Sequence, residues 1–401
     1  MTSDASASVL PPPTERYTVL GWLQKNLFRT WYDALLTVIC LSLIYVVVTR
    51  FVSWLTTQAD WEVVQVNIRL LMVGQYPQDQ LWRIWLCLDL LAAIVGLSWG
   101  AWARRRTWLG IGLLLAPLAL ALWPGLVEIP RAELLALDLI AVAGFTIGRR
   151  GGPRVRQVAV GLWVLYFPLV ILIVHGLSFG GELFPVVPSN LWGGLLLTFL
   201  LTVVGITFSF PLGVLLALGR RSSLPVIRWS SISYIEVIRG VPLVTILFMA
   251  STMVPLFLPS GITIDRVLRA MVGIVLFSAA YVAENVRGGL QAIPAGQYEA
   301  AYSVGLNGWQ TMSLIILPQA LRIVIPPLVG QFISLFKDTS LVATIGLLEL
   351  LGISRSILAQ PQYVGRQQEV LLFITVIYWV FSYFLSFVAQ RLEFALGAGE
   401  R

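Results

Sequence analysis

Of the chain's 401 residues, 58% are hydrophobic and only 12% are charged, and the mean hydropathy is +0.84. No soluble domain covers its surface with so few polar groups, so the sequence reads as an integral membrane protein and its net charge of +7 as a topology signal, with no nucleic-acid partner. Two cysteines, Cys40 and Cys87, and one histidine, His175, speak against a disulfide framework, a metal cluster or a serine–histidine–acid triad. The expectation is therefore no catalytic residue and no metal site.

Residues 1–30 are polar, with Pro11, Pro12 and Pro13 in the middle. They lack a basic stretch with a following cleavage site, so a cytoplasmic tail is expected and not a removable signal. Crossing a bilayer takes about 20 apolar residues, and about ten such runs follow. The first is Ala34–Val52. Between about 53 and 85 the chain turns amphipathic, with Trp61, Trp82 and Trp85. Indole rings favour the headgroup layer, which predicts an outer loop with a helix lying on the membrane surface. That helix is either a plain interfacial segment or a surface for a partner.

Four more spans are expected at Leu86–Ala103, Trp108–Trp123, Leu134–Gly148 and Val158–Val174. Arg104, Arg105 and Arg106 occupy one loop, and Arg149, Arg150, Arg154 and Arg156 the next alternate one. Lys and Arg are retained on the cytoplasmic side. Both loops then point inward, and both termini fall inside. Residues 31–188 thus form a five-span amino-terminal extension.

From Ser189 the texture changes. The run Trp192–Leu218 carries Gly193, Gly194, Gly205 and Gly213, which let neighbouring helices approach closely, and Arg220-Arg221 closes it on the inner side. Glu236 and Arg239 are three apart, which places them on one helical face where they are expected to pair. Gly240 and Pro242 then predict a kink as the chain enters a span at Val241–Leu258. The pair is either an entrance element or two solvated charges. Val267–Ala283 is the eighth span.

The longest polar interruption of this half runs from Tyr281 to Arg322. Glu299, Ala300 and Ala301 open a small-residue run reaching Gly305, and Asn307-Gly308 makes a turn. A second run, Trp309–Leu317, is expected to stop at Pro318. The prediction is two short helices around a glycine turn, outside the bilayer and suited to docking. Glu299-Ala300-Ala301, then Gly305, then Ile315, Leu317 and Pro318 keep every fixed position and spacing of the EAA loop of bacterial ABC importer permeases, which this stretch resembles. The flanking Tyr281, Glu284, Arg287 and Gly289 look like the polar amino-acid uptake branch. The Glu236, Arg239, Gly240, Pro242 element is similar to one in that family.

The ninth span, Leu321–Phe336, carries Pro326-Pro327 and should be kinked there. Lys337, Asp338, Thr339 and Ser340 follow, with Glu349 inside the next apolar stretch. This segment either lines a cavity, as ionisable groups at membrane depth usually do, or lies in the headgroup layer. Its KDTSL sequence also resembles the family's element at this place. Val370–Val388 is the last span.

The resemblance covers 189–401 and implies a five-helix type I importer permease core, in an all-α membrane protein. It implies a cytoplasmic docking loop at about 284–320 for an ABC ATPase dimer and a heterodimer with a second permease. It also implies a periplasmic amino-acid-binding protein, and residence in the bacterial inner membrane. Glu236, Arg239, Glu284 and Arg287 become a gate or entrance set. No GxxxxGK[ST] phosphate loop occurs, so ATP is expected to be used by the partner and no cofactor bound here. The alternative is an ion- or proton-coupled secondary transporter of small polar solutes, which would need coupling carboxylates at mid-span and no docking loop.

Overall fold

The computed structural model describes residues 19–102, 112, 117–122, 130–177, 184–259 and 261–396. Its internal packing divides the chain after Asp60. The first unit contains α1 (Val19–Leu27) and α2 (Trp31–Thr57). The Thr30 hydroxyl accepts the Asp33 amide at 3.3 Å and so starts α2 by satisfying a donor that the helix cannot. Within its unit, α2 buries no residue. It is an apolar rod of 27 residues, long enough to cross a bilayer.

In the second unit come α3 (Glu62–Val66), α4 (Ile68–Val73), α5 (Trp82–Trp102), α6 (Arg131–Arg150) and α7 (Pro153–His175). Glycines one turn apart lock α5 to α6. Gly96 and Gly100 lie against the Ala141 and Phe145 carbonyls, while Gly144 and Gly148 lie against those of Ala93 and Leu97. In lipid, where no hydrophobic force drives helices together, such backbone contact is a main source of association.

Next are α8 (Gly194–Arg220), α9 (Pro225–Arg239), α10 (Leu243–Phe257), α11 (Arg266–Gln291), α12 (Ala295–Ser303), α13 (Leu317–Asp338), α14 (Leu350–Leu358) and α15 (Gln367–Leu396). Asp265 caps α11 by accepting the Val267 amide at 2.8 Å. Gly213 seats α8 on Val282 of α11, and Gly205 seats it on Ile274 and on Leu335 of α13, as the small-residue pattern of α8 predicts. Among the described residues there is no β-strand, only single bridges at Gly74–Trp192 and Gly194–Glu349.

Seven of these helices are long and apolar enough to cross a membrane, and an eighth results if bent α9–α10 is one span. The bend is 105° and falls at Gly240–Pro242, the expected kink. Two more spans were expected. One coincides with α6, which carries Arg131, Glu133, Asp138, Arg149 and Arg150. The other, Trp108–Trp123, lies mostly outside the described residues, as do Arg104, Arg105 and Arg106.

Two expectations are corrected. The helix after the docking turn does not stop at Pro318. A six-residue π-helical stretch, Thr311–Ile316, leads straight into α13, with Pro318 in its first turn. Pro318 stands where the π-helical stretch gives way to the α-helix. The amphipathic stretch after α2 does not present its apolar face to lipid either. Val63 and Val64 of α3 and Leu71 of α4 are buried in one cluster with Leu350, Ile353 and Ile357 of α14 and Val370 and Ile374 of α15.

Candidate functional site: docking loop and charged mouth

Three helix ends meet where α8, α9 and α11 converge, and each delivers charge. Arg220 closes α8, Glu236 and Arg239 lie in the last turn of α9, and Glu284 and Arg287 sit on the last turns of α11. Glu236 and Arg239 do not pair with each other as expected. Glu236 accepts a hydrogen bond from Arg220 at 2.9 Å, while Arg239 reaches Glu284 at 3.4 Å. The physical reason is geometric: where the three helices converge, each of the two finds an opposite charge on a neighbouring helix.

Glu284 is the hub. Arg287 donates to it through Nε at 3.0 Å and again through Nη2, and Arg220 stands 3.9 Å away. The Arg239 guanidinium also lies over the Tyr281 ring at 5.7 Å. Three guanidiniums therefore share one carboxylate, whose side chain is about three-quarters buried (24% exposed). A cleft of about 300 Å³ opens beside them, lined by Arg220, Arg221, Arg287 and Gln291.

The docking loop is tied to this mouth. Arg221 donates to the Tyr298 hydroxyl of α12 at 3.0 Å and stacks over its ring. Gln319 of α13 bonds Gln297 of α12 at 3.0 Å. After α12 the chain turns at Gly305, where φ is +82°, a backbone that residues with a Cβ rarely adopt. Nothing lies near the position a Cβ would take, so Gly305 serves the turn and not a close approach. Asn307 and Gln310 then form a reciprocal capping box at 2.9 and 3.0 Å, starting the next helix.

Of the predicted docking residues, Glu299, Ala300, Gly305 and Pro318 are exposed. Ala301 is buried, and Ile315 and Leu317 are half-buried against the bundle. The loop's tip carries Tyr302, Val304, Trp309 and Leu314, all more than half exposed. An apolar patch at the tip of a polar loop marks an interaction surface.

At the far end of the bundle, the predicted path residues differ in burial. The chain leaves α13 through a 3-10 helix, Thr339–Ile345, then turns at Gly346. Thr339 and Glu349 are fully buried, Asp338 and Ser340 half-buried, and Lys337 exposed. Glu349 caps α14, accepting the Leu351 and Gly352 amides at 2.8 Å each, and receives the Tyr378 hydroxyl of α15 at 3.2 Å. Burial pushes this carboxyl, which lies between spans, up to about 7.

Sequence reasoning missed Arg220, Arg221, Tyr298 and Tyr378 as members of these groups. The arginines showed only as a topology mark. Tyr378 falls inside the expected span Val370–Val388, where nothing in the sequence points to a partner for its hydroxyl.

An all-helical bundle with several helices long and apolar enough to cross a membrane, a cluster of charged helix ends and a protruding loop with an apolar tip defines a multi-pass membrane protein. The chain belongs to the family of binding-protein-dependent transport system inner membrane components, whose pattern it matches over residues 209–397. It is 39% identical to the inner membrane amino-acid ABC transporter permease protein YhdY of Escherichia coli, covering 94% of this chain and 93% of that one. It is 35% identical to the glutamate/glutamine/aspartate/asparagine transport system permease protein BztC of Rhodobacter capsulatus, over 96% and 95%. The glutamate/aspartate import permease protein GltK of Escherichia coli is 37% identical but covers only 52% of this chain and 95% of its own. A solved amino acid ABC transporter with histidines is 34% identical over 50% of this chain and 91% of that one, with a TM-score of 0.46.

Proposed function

We propose that this chain is the permease subunit of an ATP-driven importer of amino acids, forming the translocation path by alternating access. The observation that carries the reading is end-to-end similarity, above 90% of both chains, to two permeases named for amino-acid transport. A secondary transporter is not favoured, because the 39% identical relative is named an ABC transporter permease and the docking loop would have no purpose in it.

The partners follow from the same reading. An ABC ATPase dimer docks on Glu299, Ala300 and the apolar tip around Gly305, and supplies the ATP hydrolysis; this chain binds no cofactor. A second permease completes a heterodimer, and a periplasmic amino-acid-binding protein delivers substrate to the opposite end. Both termini and α12 lie in the cytoplasm. ATP-driven closure shifts the docked loops because the ATPase binds one arrangement better than the other. The Arg221–Tyr298 contact then passes loop movement to the Glu284 hub, and residues 337–349 border the path at the outer end.

The test is uptake in a strain lacking this subunit. Labelled amino acids are offered singly and in competition, with the ATPase, second permease and binding protein intact. Restoration of uptake by the wild-type chain is expected, and no restoration for any amino acid sinks the reading.

A further inference from the structure

The amino-terminal extension packs buried side chains of α3–α4 into the core. The α3–α4 pair contributes Val63, Val64 and Leu71, at 2%, 6% and 0% exposure. One buried cluster joins them to Leu350, Ile353 and Ile357 of α14, at 0%, 2% and 0%, and to Val370 and Ile374 of α15, at 0% and 4%, with α4 packed on α14 and α3 on α15. The backbones meet as well. Gly74 bridges Trp192, and its missing Cβ leaves room only for the Gly193 backbone. Gly194 lies on the Leu71 carbonyl and donates its amide to the Leu348 carbonyl at 2.8 Å. Three chain segments, 71–74, 192–194 and 348–349, are therefore stacked backbone on backbone. The Leu350 amide donates to Thr198 of α8 at 3.3 Å and ties α14 to the same stack.

The extension side of this stack is itself anchored. Tyr76 donates to the Val174 carbonyl at 2.8 Å, and the fully buried Arg83 donates to the Pro185 carbonyl at 3.0 Å while lying over Phe184. An interior packed this closely does not deform gradually; it holds its arrangement or breaks. Residues 346–358 cannot move apart from α3–α4.

We infer that α3–α4 is a positioning brace for the turn after α13. The extension thereby holds the outer wall of the translocation path and is not an appended membrane anchor. The inference rests on the reading that residues 337–349 border that path. A half-length relative has no equivalent arrangement: its match spans 215 residues, too few to include both α3–α4 and α14 of this chain. The brace is a property of the long chains.

The test uses the full chain in lipid nanodiscs for hydrogen exchange and whole cells for uptake. Gly74→Val drives a branched side chain into the Gly193 backbone, and Leu71→Ala opens a cavity beneath α14. Val66→Ala, on the exposed face of α3, is the control. In both test variants, amide exchange across Leu350–Leu358 should rise at least tenfold while Ala295–Ser303 stays unchanged. At equal membrane abundance the maximal uptake rate should fall at least fivefold, with half-saturation within twofold; a merely folded-or-unfolded defect would lower abundance instead. Should Gly74→Val fail to accumulate, Leu71→Ala and Ile357→Ala read the same contact from its two sides. Unchanged exchange at Leu350–Leu358 overturns the brace. Raised exchange with a wild-type rate overturns its part in transport. A wild-type chain that carries no amino acid strikes the proposed function and leaves the exchange result to decide the contact.

Discussion

The Arg239 guanidinium stands 3.4 Å from the Glu284 carboxylate and joins the last turn of α9 to α11 immediately before the 105° bend. Glu284 also holds Arg220 and Arg287, so the orientation of the bent span, the end of α8 and the approach to the docking loop depend on one carboxylate.

Removing that carboxylate leaves three guanidiniums facing one another. A partly exposed pair contributes about 0–1 kcal/mol, so losing three at once should cost up to about 3 kcal/mol. Glu284→Gln is expected to lower the melting temperature by several degrees and uptake at least tenfold. Glu236→Gln, whose side chain is 55% exposed and has one partner, should lose less than threefold. Uptake and thermal melting at matched abundance check this, and equal effects of the two variants would refute the hub.

Gly305 needs a left-handed backbone and has open space around it. Asn tolerates that conformation better than a branched residue does, for which it costs about 1–2 kcal/mol. Gly305→Asn should keep most of the ATPase during co-purification. Gly305→Val and Gly305→Asp should reach the membrane yet lose it, Asp by adding a charge as well. If Val retains the partner as well as Asn does, the turn geometry is not what docking requires.

Topology is tested by impermeant thiol labelling in a background without Cys40 and Cys87. Val66, 53% exposed on α3, should label from outside as a single cysteine, and Tyr302 on α12 only after the cells are opened. Labelling of position 302 in intact cells would invert the arrangement.

Glu349 makes stability depend on pH. Its carboxyl is raised from 4.5 to about 7 by burial, so between those values the folded protein keeps a proton that the unfolded chain releases. Stability from this group is full below pH 4.5, falls as pH rises to about 7 and is level above it. Glu349→Gln should flatten that slope. Melting curves of the purified protein at intervals from pH 5 to 8 measure it, and superposable slopes would assign the dependence elsewhere.

Lys337 is exposed and Asp338 half-buried at the end of α13. Asp338→Asn should reduce uptake at saturating substrate several-fold, together with ATPase activity stimulated by the loaded binding protein in liposomes. If both stay at the wild-type level in Asp338→Asn and Lys337→Met, this pair lies in the headgroup layer and takes no part in transport.

Local chemistry by itself determined the class of this protein, because each apolar run must satisfy its own backbone hydrogen bonds in lipid and can do so only as a helix. The turn between Gly305 and Gly308 and the kink at Gly240–Pro242 were legible for the same reason: their causes lie within a few residues of their effects. Pairing was not legible. Arg239 chose Glu284 over Glu236, and the apolar face of α3–α4 chose α14 and α15 over lipid, because both outcomes depend on which distant helix stands alongside. The helix through Pro318 was also a tertiary outcome: the π-helical stretch before it lets Thr311, Ile316 and Ala320 stay buried against the bundle. Periodicity along one chain carries no record of that neighbour, and only the assembled bundle supplies it.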